Sequence, residues 1–176
     1  MQRQLDTLES AFNRTLYFLI LLVAISIGLF ATLIPLNLLL VKTGLGSIWW
    51  LHEGVEYALY VGVFIGAPWV LQQGAHVRVD VLISALPEKA AASLERFLDF
   101  AGSVLCLALC YYGYRLAVSE WEDGTLPDKD LRIANWTMMA VFSFSFFLLA
   151  IEFLFRIRRA GEIVVEESAV NKDTGF

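Results

Sequence analysis

The chain has 176 residues, 58% of them hydrophobic, 14% aromatic and 18% charged, with a mean hydropathy of +0.64. Soluble domains run at about 45–50% apolar and about 25% charged, and here the apolar excess falls in blocks. That excludes a soluble enzyme or a disordered chain, and a net charge of −5 leaves no basic field for a phosphate backbone, so nucleic acid is not a partner.

In chain order, Leu5, Leu8 and Phe12 interleave with Asp6, Glu9 and Asn13 at helical spacing. This predicts an amphipathic helix lying on the inner membrane surface before the chain turns into its first span. From Leu16 to Val41 the only ionisable side chain is Tyr17. At about 1.5 Å per residue this run is roughly 39 Å long, more than the roughly 30 Å hydrocarbon core, so it tilts, kinks at Pro35 or protrudes. It is also too long for the apolar region of a cleaved signal peptide.

The second span covers about 55–75 and is preceded by Glu53, with Glu56 in its first turn. The segment from His76 to Ile83 alternates at first and then becomes apolar, which reads as an amphipathic inner connection. Pro87 suits the first position of the next helix, where its missing N–H costs nothing. A helix from Pro87 to Glu120 would be roughly 51 Å long and would carry the third span, about 97–118, with Asp99 and Arg115 near its ends. The fourth span covers about 133–152, where Glu152 and Arg156 read as a surface pair. Asp99 lies three residues after Arg96, the spacing of a local pair. Residues 161–176 are a polar, acidic tail expected to fray. The fold class is therefore all-α integral membrane: one four-helix domain over residues 1–160, followed by a polar tail.

Basic residues in the connections set orientation. With the N-terminus inside, Arg3, Arg14, Arg78, Lys89, Arg96, Arg156, Arg158, Arg159 and Lys172 lie on the inner side, against Lys42, Lys129 and Arg132 outside. Nine against three places both termini in the cytoplasm. Trp49, Trp50, Trp121 and Trp136 then share the outer headgroup level that tryptophan prefers, and Trp69 falls near the inner one.

The polar residues define no reaction centre. His52 and His76 bracket one span and lie roughly 36 Å apart along a helix, too far to hold one haem iron. Cys106 and Cys110 share a helix face and read as small packing residues, since a metal site needs more ligands than stand nearby. There is no P-loop, GxSxG or HExxH motif, so neither an enzyme nor a cofactor is expected. No charge sits mid-span, where transporters place their sites. Glu56 is the one carboxylate around which a self-sufficient homo-oligomeric transporter or channel could form, the alternative reading. Glu53 and Glu56 either face the positive end of the helix dipole or contact a partner subunit. Gly62 and Gly66 form a small-residue face suited to helix packing.

The stretch from His52 to Pro87 carries an acidic pair (Glu53, Glu56), a Gly66-Ala67 step, the pattern His76-x-Arg78-x-Asp80, and Leu86-Pro87 opening the next helix. It resembles the small membrane subunit of tripartite ATP-independent periplasmic (TRAP) transporters. Tyr112-Gly113 and Trp136 are also similar, whereas Ile133-Ala134-Asn135 departs from the Ile-Pro of many relatives. The resemblance implies a scaffold for a large permease subunit in sodium-coupled uptake of an organic acid or related solute. A periplasmic binding protein delivers that solute, and the setting is the bacterial inner membrane and its lipids. On this reading Glu53, Glu56, His76, Arg78 and Asp80 are subunit-interface or structural residues, with no solute site of the chain's own.

Overall fold

In the computed structural model, residues 2–73 and 88–173 are described; for 2–6, 88–89, 91–92, 95 and 159–173 the description is of the backbone alone. Four helices account for nearly all of it: α1 (Gln2–Lys42), α2 (Leu51–Gln72), α3 (Glu88–Asp123) and α4 (Asn135–Asp173). Each contains a segment long and apolar enough to cross a membrane, and there is no strand among the described residues. This is the four-span, all-α architecture expected. The connection from His76 to Leu86, with Pro87, lies outside the described residues.

α1 differs from expectation at its start. It is one unbroken helix from Gln2, without a turn between an amphipathic surface segment and the span. No Gly or Pro stands between Phe12 and Leu16 to break it, and the polar side chains at this point are engaged. Thr15 donates to the Ala11 carbonyl at 3.0 Å, and Asn13 accepts from Gln72 of α2. The helix also continues through Pro35. It ends at Gly44, whose φ of +74° is a left-handed conformation that glycine adopts without strain. Gly44 N–H bonds to the Val41 carbonyl and Leu45 N–H to the Leu40 carbonyl, a Schellman stop. Asn37 then accepts the Ile48 N–H at 2.7 Å and ties the turn back to the helix.

The helices stand in the order α1, α2, α4, α3, each packed mainly on its neighbours in that row. With lipid outside, close approach of small residues and dispersion must hold such a row together. At the α3–α4 contact, a Cβ on Gly113 would lie 2.7 Å from Phe142, and one on Gly102 would lie 2.8 Å from Phe153. The two glycines thus seat aromatic rings of α4 against the α3 backbone. The Gly62–Gly66 face of α2 meets Val23 and Ile20 of α1, so it packs inside the bundle. Between α2 and α4 runs an aromatic seam, with Phe64 5.3 Å from Phe142 and Phe142 4.6 Å from Phe146. Leu71, Cys106, Leu149 and Ala150 form the buried core, and the outward faces are leucines, isoleucines and aromatics, as a lipid-bathed surface requires.

The backbone of α4 is helical as far as Asp173. The tail contains no Pro, and Glu162, Glu166, Glu167 and Ala169 include good helix formers, so its polarity was a poor guide to its backbone.

Candidate functional site at the two ends of the bundle

Polar side chains gather at the two ends of the row. At the end carrying the 43–50 and 124–134 connections, Glu53 and Glu56 lie one turn apart on α2. Glu53 Oε1 accepts the Asp130 N–H at 3.0 Å, and its Oε2 accepts the Leu131 N–H. Glu56 forms an ion pair with Lys129, whose ammonium also lies 5.1 Å from the centre of the Tyr57 ring. The Tyr57 hydroxyl donates to the Leu131 carbonyl at 3.4 Å, and the Tyr60 hydroxyl donates to the Met138 carbonyl at 3.1 Å. The first two turns of α2 therefore grip the loop joining α3 to α4, and Tyr60 in the third turn reaches the start of α4. The hydrogen bond and charge of Glu56 hold the Lys129 ammonium above its usual pKa, so Lys129 stays charged well into the alkaline range. Beside this clamp, Trp121 and Trp136 meet edge to face at 4.8 Å, and Glu120 accepts from Asn135 at 3.5 Å.

At the opposite end two carboxylates are buried. Asp99 of α3 is 6% exposed, and its carboxylate lies 3.4 Å from Nε of Arg156 on α4. Asp99 thus reaches across to a second helix, a contact that its spacing from Arg96 does not suggest. Glu152 is fully buried, which corrects the expectation of a surface pair with Arg156: its position on α4 faces into the bundle. Arg158 lies 3.8 Å from Glu9 of α1, and the tilted rings of Phe155 and Phe12 lie 5.5 Å apart, so the early part of α1 is held against α4. In mid-bundle Ser145 donates to the Phe64 carbonyl of α2, and Ser143 donates to the Cys110 carbonyl of α3 at 2.9 Å. Such side chain-to-backbone bonds join helices without placing a charge in the hydrocarbon.

Of the residues singled out from the sequence, Glu53 and Glu56 come together on one loop of the same chain. His76, Arg78 and Asp80 lie outside the described residues. Cys106 is a buried free thiol in the core, and Cys110 lies 3.5 Å from the Ser143 hydroxyl, both as packing residues. Sequence reasoning missed the loop partner of the acidic pair. Its one available signal was Lys129, the lone cation among Glu120, Glu122, Asp123, Asp128 and Asp130. It also missed Ser143, Ser145 and Asn37, whose roles depend on which helices become neighbours.

This arrangement is that of a multi-pass α-helical membrane protein in which Glu53, Glu56, Asp99, Ser143 and Ser145 join its own helices and loops. A sequence profile described as tripartite ATP-independent periplasmic transporters, DctQ component, matches residues 37–161, from the last turns of α1 through the spanning part of α4. The chain belongs to this family: it is the small membrane component of a TRAP transporter, a multi-pass protein of the inner membrane. The family is one of transporter components rather than enzymes. None of the curated proteins matches the chain.

Proposed function

We propose that this subunit is a fixed scaffold for a large permease subunit in sodium-coupled uptake of an organic acid or related solute. A periplasmic binding protein delivers the solute, and both termini of this chain face the cytoplasm. The observation that carries this reading is the engagement of Glu53 and Glu56 with the chain's own 124–134 loop. The alternative, a self-sufficient homo-oligomer, needs Glu56 as a membrane carboxylate, yet Glu56 is tied to an exposed loop lysine at the bundle's end. The orientation rests on the nine-to-three bias of basic residues.

Within this reading His76, Arg78 and Asp80 fix the inner connection. Charges there are held by backbone or by the large subunit, as charges removed from water require. Two experiments test it. Reporter fusions after residue 176 are expected to fluoresce as cytoplasmic green fluorescent protein and to be inactive as alkaline phosphatase; active phosphatase reverses the topology. Arg78→Ala is expected to lower co-purification with the large subunit, or uptake by the reconstituted complex, while solute capture by the binding protein is unchanged. Normal stoichiometry together with normal uptake removes the role given to Arg78.

A further inference from the structure

A groove of about 490 Å3 runs beside the α3–α4 contact, lined by Cys110, Tyr114, Val118, Trp121, Trp136 and Phe144 among others. Its volume falls within the roughly 300–1,000 Å3 of small-molecule sites. Its lining is almost wholly apolar. It starts at the Trp121–Trp136 pair, and tryptophan sits at the headgroup level. It reaches Phe147, which lies eleven residues beyond Trp136 on α4 and so roughly 16 Å deeper. A cleft of this shape inside a bilayer loses dispersion energy along its whole wall unless an apolar chain fills it.

The charges beside it select the occupant. Arg115, Val118 and Glu122 follow i, i+3, i+7 spacing and share one face of α3, and Val118 and Glu122 line the groove. Arg115 is not itself a lining residue, but helical register places it on the same face about 10 Å deeper than Glu122. Both are exposed, and neither makes an ion pair or hydrogen bond with another described residue. A guanidinium facing lipid below the tryptophan level is costly without an anion. Along α3 the apolar lining runs from Cys110 to Trp121, with Arg115 beside its middle and Glu122 at its outer end, so the cation lies inward of the carboxylate. An aminophospholipid presents the complement of the two charges in the same order, its phosphate inward of its ammonium. A glycerol headgroup would leave Glu122 unmatched beside a net negative lipid, and a choline would offer it no N–H.

We propose that this groove binds one zwitterionic phospholipid of the phosphatidylethanolamine class, with its phosphate on Arg115, its ammonium on Glu122 and one acyl chain between α3 and α4. The site is independent of the scaffold role and of which side of the membrane this end faces.

The test is native mass spectrometry of the purified, delipidated full chain, titrated with phosphatidylethanolamine, phosphatidylcholine and phosphatidylglycerol of identical acyl chains. One phosphatidylethanolamine per chain is expected to be retained, with about tenfold preference over phosphatidylglycerol, the scale of one charge-assisted hydrogen bond. Arg115→Leu is expected to weaken all three lipids about tenfold, and Glu122→Gln to abolish the preference while leaving phosphatidylglycerol bound. Ala140→Leu, which fills the groove, is expected to abolish retention. Should a variant fail to fold, hydrogen exchange on the unaltered chain decides: phosphatidylethanolamine, and not phosphatidylglycerol, is expected to protect residues 114–122 and 136–147. Equal retention of the three lipids, or a preference that survives Glu122→Gln, overturns the proposal. So does a lipid-independent dimer, or protection of Ala140→Cys from maleimide only when the large subunit is present, since each assigns the groove to a protein chain.

Discussion

Glu53 accepts two backbone N–H groups from a loop more than seventy residues away, and removing it leaves both donors at the membrane boundary without their acceptor. Glu53→Ala is expected to cost about 2 kcal/mol in detergent unfolding, with Glu53→Gln, which retains one acceptor, costing less. Equal, negligible losses for both would mean that the loop is held by other contacts. Lys129 behaves differently because it is exposed. Its raised pKa means that its charge contributes to the folded state fully below the ordinary lysine value and is lost only as pH climbs through the raised one. Proteolysis of the 124–134 loop is therefore expected to be unchanged from pH 7 to 9 and to respond to salt, which screens an exposed pair. At the other end, Arg156→Leu leaves the buried Asp99 carboxylate without its cross-helix cation. Of order 3 kcal/mol is the expected loss in the same assay, and Asp99→Asn combined with Arg156→Leu should recover part of it. None of these pairings was legible beforehand. The sequence marks Glu53, Glu56, Asp99 and Glu152 as polar groups beside apolar runs, but local spacing offers only partners three or four residues away.

Among the elements, α2 and the outer end of α3 were the most legible. The acidic turn opens α2, and α3 is helical from Glu88, the first residue described after the connection, and closes three residues beyond the expected Glu120. α1 and α4 run past their apolar segments because nothing in the flanking polar residues stops a helix, and hydropathy reports the solvent rather than the backbone. At the α3–α4 contact, Gly113 brings the two backbones together at Phe142. Gly113→Ala is expected to destabilise the hairpin by about 1–3 kcal/mol, with Gly113→Ala/Phe142→Leu closer to the unaltered chain. A neutral Gly113→Ala would show that Phe142 moves aside freely.

At the scale of the molecule, four comparably apolar spans do not reveal their own order. The row α1–α2–α4–α3 follows from where the glycines, Ser143 and Ser145 fall on facing helices. The acidic pair Glu53 and Glu56 is spent on the chain's own loop, and that is the physical content of the scaffold reading. The decisive measurement is solute uptake into proteoliposomes under a sodium gradient, with the binding protein and its solute outside. Vesicles holding this chain and the large subunit are expected to accumulate solute, and vesicles holding this chain alone are expected to take up none. Sodium-driven accumulation by the chain alone would contradict the account.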